Sequence, residues 1–213
     1  MSASSRRAVI CDFGGVLTSP LIGAFAAVQE ESGASVEALS GAMVGVAEAT
    51  GRHPLSELEK GLITESDFLS MLEAQLDGDV TLRGFRETYF SALRPNARMI
   101  AYMAELRSRG LRTALLTNNV REWEPLWRAK LPQLDRTFEI VVDSAFVGMR
   151  KPEREIFELT VERLGGGLTP DECVFIDDSE VNCAAARELG MYAVQFVETE
   201  PAIAEVEAAV GAR

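Results

Sequence analysis

Short apolar runs punctuate the second half of the chain, at residues 113–116, 138–142, 173–176 and 192–197, each bounded by turn-forming or charged residues. Continuous rather than alternating hydrophobicity marks strands buried on both faces. Between these runs the period changes. Over 95–109, Met99, Ile100, Met103 and Leu106 share one helical stripe, with Pro95 at the start and Gly110 beyond the end. Over 153–164, Ile156, Phe157, Thr160, Val161 and Leu164 repeat that stripe, and Gly165 stops it. A third helix is expected from Ser179, a favourable N-cap, to Gly190, and 201–210 reads as a docked amphipathic helix. Strand–helix alternation of this kind predicts a parallel sheet with right-handed crossovers.

The first half reads differently. One apolar strand, 8–11, is followed from about residue 20 to about 92 by helical patterns alone. Thr64 caps a helix with Phe68, Met71, Leu72 and Leu76 on one face, and Leu82, Phe85 and Tyr89 mark another. Glycine-containing breaks at 31–33 and 51–54 separate the earlier helices. The expectation is a Rossmann-like α/β core built from 1–18 and 93–213, split by a helical insertion over 19–92.

Composition narrows the class. With 47% hydrophobic and 25% charged residues over 213 positions, the chain has the make-up of an ordinary globular protein. A net charge of −12 argues against a nucleic-acid or membrane-surface partner, which a basic face would serve. Apolar runs fall far short of the ~20 residues needed to cross a bilayer. The basic start, MSASSRR, is followed by an apolar stretch that Asp12 interrupts too early for a secretory leader. Cys11, Cys173 and Cys183 are odd in number and set in apolar surroundings, so they read as reduced core thiols of a cytoplasmic protein. Strand alternation turns the Cys11 side chain away from its neighbour Asp12. Trp123 and Trp127 read as packing residues. Nothing separates a monomer from a homodimer.

Four polar clusters fall where strands end: Asp12 before Gly14-Gly15, Thr117-Asn118-Asn119, Lys151-Pro152, and Asp177-Asp178-Ser179. In an open parallel sheet the ligand crevice lies outside the carboxyl ends of the strands, so these groups should converge. Three carboxylates at one edge repel unless a cation separates them, and oxygen-only ligands suit Mg²⁺. Counting −3 from the carboxylates, +1 from Lys151 and +2 from the metal, the site is near neutral and can accept an anion. Thr117, Asn118, Lys151 and the amides of Gly14 and Gly15 are suited to phosphoryl oxygens. Asp12 can then act as a nucleophile, forming an aspartyl-phosphate that water hydrolyses.

The segments DFGGVLT (12–18), LLTNN (115–119), VGMRKPEREIF (147–157) and VFIDDSEVN (174–182) resemble, in order, the four motifs of the haloacid dehalogenase superfamily. The later ones are most similar to the phosphatase-type amino-terminal domain of soluble epoxide hydrolases. The resemblance implies that 19–92 is a cap domain and that Asp12 is the nucleophile. It further implies that Thr117 and Lys151 position the phosphoryl group, and that Mg²⁺ is held by Asp12, the Gly14 carbonyl, Asp178 and Asp177. Asn182 stands where an aspartate often steadies the lysine. The substrate implied is a small phosphorylated metabolite. One position departs from the pattern: the second aspartate, two residues after the nucleophile, is Gly14 here. That group serves as general acid and base, a contribution of roughly 10²–10⁴-fold. His53 and Glu57 are candidates to replace it, and Arg52 to contact an anionic substrate. Two alternatives stay open: a slow or non-catalytic binder of a phosphorylated metabolite or protein, favoured by Gly14, and a metal-independent haloacid dehalogenase, disfavoured by the Asp177-Asp178 pair.

Overall fold

The computed structural model describes residues 6–76 and 80–211; the first five residues of the basic start lie outside them. Five parallel strands form one sheet in the order β3-β2-β1-β4-β5: β1 (Ala8–Cys11), β2 (Arg112–Thr117), β3 (Ile140–Asp143), β4 (Cys173–Asp177) and β5 (Tyr192–Gln195). Every residue of β1 and β4 is buried, as continuous apolar runs require of central strands. Alternate residues feed two cores. Val9, Cys11, Leu115, Val174 and Ile176 face α6 (Ala97–Ser108) and α12 (Thr199–Val210). Ala8, Ile10, Ala114, Leu116 and Phe175 face α10 (Arg154–Leu164) and α11 (Glu180–Glu188). Each large apolar side chain so buried contributes roughly 1.5–3 kcal/mol. The result is an α/β, Rossmann-like sheet covered on both faces.

Helix ends follow local chemistry, with small corrections. α6 starts one turn-position later than Pro95 suggests, because the Asn96 side chain accepts from the Met99 amide at 3.2 Å and so caps it. Ser179 occupies its expected N-cap position but caps nothing with its own hydroxyl. Its amide instead donates to Asp177 Oδ1 at 2.9 Å, so the preceding aspartate organises the turn. α12 begins at Thr199, with Pro201 tolerated inside the first turn.

Between β1 and α6 the described residues form five helices, α1 (Leu21–Ser32), α2 (Val36–Thr50), α3 (Pro54–Glu59), α4 (Glu65–Glu73) and α5 (Phe85–Ala92), with a single bridge from Thr18 to Pro95. Thr64 caps α4 as expected, reinforced by a reciprocal bond with Asp67. This layer docks on the core at close quarters. Gly61 has φ +67°, and a side chain there would stand 2.3 Å from the Ala145 carbonyl oxygen, so glycine is required. Trp123, past β2, stacks among Phe85, Tyr89 and Phe90 and donates its indole N–H to Glu65 at 2.7 Å. Cys11, Cys173 and Cys183 are buried free thiols. No helix among the described residues is long and apolar enough to cross a membrane.

Candidate active site

Strand order reverses beside β1: the chain runs outward through β2 and β3, then returns to place β4 on the other side. Crevices form at such reversals, outside the carboxyl ends of the strands. Asp12 follows β1 directly, and its amide donates to the Ile176 carbonyl of β4 at 2.9 Å, locking the two strand ends together. Asp177 ends β4 and Asp178 follows it. Oxygens of Asp12, Asp177 and Asp178 lie within 4.8 Å of one another. Lys151, from the loop after β3, inserts between them. Its Nζ is 2.6 Å from Asp12 Oδ1 and 2.6 Å from Asp177 Oδ2, with 2% of its side chain exposed.

The electrostatics follow from crowding and burial. Burial, then the neighbouring Asp177 and Asp178, push the Asp12 carboxyl above the usual carboxylate range against the pull of Lys151. Burial likewise raises Asp178, helped by Asp177 and opposed by Lys151. Burial works against the Lys151 ammonium, yet Asp12 and Asp177 hold its pKa above the ordinary lysine value. Three carboxylates against one ammonium leave the cluster near −2, which a divalent cation would neutralise. Oxygen donors alone at this spacing fit a hard cation such as Mg²⁺.

The sequence-predicted residues meet here unevenly. Thr117, the last residue of β2, is buried at the cavity wall, and its hydroxyl makes a long 3.4 Å bond to the Asn118 carbonyl. Asn118 also lines the cavity, but its side-chain amide is occupied. It donates to the Lys151 carbonyl at 2.9 Å and accepts from the Lys151 amide at 2.8 Å, clamping that loop. Asn182 reaches Asp177 at 3.0 and 3.1 Å, so it steadies the lysine through the aspartate. Gly14 lines the cavity, whereas Gly15 borders a neighbouring groove. The Gly15 amide donates to the Thr18 hydroxyl at 3.1 Å, because the turn closes on that side chain, and so it is already engaged. Gly15 is required for another reason. Its φ is +75°, and a Cβ there would sit 2.2 Å from Asp178 Oδ2.

Arg52 does not join them. Its side chain is 74% exposed, paired with Glu57 at 3.3 Å and absent from the cavity lining, because the turn before α3 points it to solvent. His53, at the N-cap of α3, is exposed as well. The carboxylate that does reach the cavity from α3 is Glu59, bound to Arg150 Nε at 2.6 Å. The sequence held no signal for it: in PLSELEKG one glutamate of a short helix looks like another, and docking alone selects between them.

Above the carboxylates lies a cavity of about 340 Å³. Its walls are mainly apolar, with Leu21, Phe25, Leu39, Met43, Phe68 and Phe85 from the helical layer.

The haloacid dehalogenase-like hydrolase family model matches residues 6–190. The chain belongs to that family. It is 27% identical to Bifunctional epoxide hydrolase 2 of Rattus norvegicus over 74% of this chain and 31% of that protein. It is 29% identical to Sesquiterpene phosphatase astK of Aspergillus oryzae over 73% of this chain and 78% of that protein. The chain thus spans about a third of the rat protein and only 19% of another curated relative. A HAD family enzyme of Bacteroides thetaiotaomicron, solved with magnesium and inorganic phosphate, superposes with TM-score 0.66 at 25% identity, covering 88% of this chain and 92% of that one.

Proposed function

We propose that the protein is a Mg²⁺-dependent phosphatase of a small phosphate monoester whose organic part is apolar. The observation that carries this reading is the junction of Asp12, Asp177, Asp178 and Lys151 at the floor of an otherwise apolar cavity. Asp12, Asp178 and the Gly14 carbonyl would hold the ion, with Asp177 steadying Lys151 beside it. A bound Mg²⁺ supplies charge neutralisation for the phosphoryl group. Asp12 attacks phosphorus and becomes an aspartyl-phosphate, which water then hydrolyses. Thr117 and Lys151 grip the non-bridging oxygens. Residues 19–92 form the cap that excludes water and shapes specificity, and 1–18 with 93–213 form the catalytic core. The phosphatase named among the relatives and the magnesium–phosphate complex of the Bacteroides neighbour support the reaction class.

The test is turnover of p-nitrophenyl phosphate and octyl phosphate with Mg²⁺ and with EDTA, beside Asp12→Asn. Metal-dependent release of phosphate, lost in the variant, is expected, as is preference for octyl phosphate over a sugar phosphate. Silence on both esters together with tight binding of a phosphate analogue would favour the second reading, a non-catalytic binder, for which Gly14 speaks. Metal-independent chloride release from 2-chloropropionate would indicate dehalogenation.

A further inference from the structure

Hydrolysis of an alkyl ester requires a proton for the leaving alkoxide, and the position that commonly supplies it is Gly14. Among the described residues that the cap gives to the cavity wall, all are apolar except Glu59 and Tyr89. Tyr89 is a poor shuttle. Burial, then Asp12, Asp178 and Glu59, hold its phenol above the usual tyrosine value, so it keeps its proton. His53 and Glu57 do not line the cavity. Resting on the phosphatase reading, we propose that Glu59, reaching the cavity from α3, is the general acid and base of both half-reactions.

The surroundings of Glu59 suit a group that must change protonation state. Its side chain is 15% exposed, and it faces Arg150 at 2.6 Å, with Lys151 and His53 further off. Burial raises its pKa above the glutamate value, and Arg150 chiefly opposes the rise, with Lys151. Arg150 also reaches the Ser56 hydroxyl at 3.4 Å, so α3 is fixed from two positions to the loop carrying Lys151. Lys60 pairs with Glu153 across the same seam.

In the first step an oxygen of Asp12 bonds to phosphorus, the ester P–O bond breaks, and the Glu59 carboxyl gives its proton to the departing alkoxide. In the second the Glu59 carboxylate takes a proton from water. The water oxygen bonds to phosphorus, the P–O bond to Asp12 breaks, inorganic phosphate leaves, and Glu59 is again protonated.

Glu59→Gln keeps the shape and removes the proton transfer. With Mg²⁺ present, kcat/KM for octyl phosphate should fall roughly 10²–10⁴-fold, whereas that for p-nitrophenyl phosphate, whose leaving group needs little protonation, should fall by less than about tenfold. Because phosphoenzyme hydrolysis still lacks its base, the variant should release a burst of p-nitrophenolate stoichiometric with enzyme before a slow steady state. Glu59→Asp should recover part of the alkyl activity. Parallel losses on both esters without a burst, or wild-type turnover of octyl phosphate, would overturn the assignment. Arg150→Gln gives a second reading independent of the first variant's folding. Losing the cation raises the Glu59 pKa, so the alkaline limb of kcat/KM for octyl phosphate should move to higher pH. An unmoved limb also overturns it. Absence of metal-dependent turnover in the unmodified enzyme would instead bring down the phosphatase reading itself.

Discussion

Lys151→Met removes the ammonium that sits between Asp12 and Asp177 and leaves a side chain of similar length. In the unmodified protein both contacts are 2.6 Å and essentially dry. Without the ammonium, three carboxylates remain with oxygens within 4.8 Å of one another. At an effective dielectric of ~20, two unit charges at that distance repel by ~3.5 kcal/mol. Breaking a buried pair generally costs about 3–5 kcal/mol, since an uncompensated charge stays behind. Asp12 limits the loss by taking a proton, which burial and Asp177 already favour. For a chain of this size each kcal/mol shifts Tm by ~2–4 °C, so the variant should melt ~6–20 °C lower in EDTA at pH 8. The deficit should shrink toward pH 5, where a protonated Asp12 no longer needs a cation. Mg²⁺ should then restore stability, and more strongly in the variant than in the parent, because the ion makes up for the positive charge that the ammonium supplied. Thermal melts in EDTA and in a Mg²⁺ series test each point. A variant melting within about 2 °C of the parent in EDTA at pH 8 would refute the reasoning, as would magnesium that stabilises neither protein.

Three further substitutions probe separate parts of the account. Gly15→Ala, with its Cβ 2.2 Å from Asp178 Oδ2 and φ at +75°, should weaken Mg²⁺ binding at least tenfold by calorimetry and cost roughly 1–3 kcal/mol of stability. Asp143 ends β3, and burial, opposed by its bond from the Ala145 amide, raises its pKa to about 6. Its ionised form is therefore penalised in the fold, so this group lowers stability as pH rises from about 4 to 6. Asp143→Asn should be close to neutral at pH 4 and stabilising by about 1–3 kcal/mol at pH 7, read by denaturant unfolding at both. Met43→Trp fills part of the cavity of about 340 Å³. Excluding two methylenes of a bound chain at ~0.8 kcal/mol each should raise KM for octyl phosphate roughly tenfold or more, with little change for phenyl phosphate.

How far the site could be read from the chain depended on what each residue's neighbours in sequence revealed. Asp12, Thr117 and Asp177 stand at the ends of apolar runs. A parallel sheet brings strand ends together whatever the details, so their meeting followed from pattern alone. Lys151 follows β3 only after a short helix, Ser144–Val147, yet the Lys-Pro step before an amphipathic helix marked it. Other features depend on how side chains turn after the helices dock. Arg52 and Glu59 lie seven positions apart on one short segment, and only docking decides that the first faces solvent and the second the cavity. Asn118 reads as a free polar group at a strand end, but its two bonds to the Lys151 backbone exist only once the loops meet. The Gly15 amide looks available until the turn folds back on Thr18. The apolar cavity was not foreseen, since its walls come from several helices whose stripes each read as ordinary core.

Chemical trapping of the covalent intermediate tests the central claim most directly. Enzyme mixed with Mg²⁺ and p-nitrophenyl phosphate, quenched and reduced with borohydride, should yield homoserine at position 12 and nowhere else by peptide mass spectrometry. The yield should rise in Glu59→Gln and vanish in EDTA. Turnover without any reducible adduct at position 12, or an adduct on another carboxylate, would contradict the account.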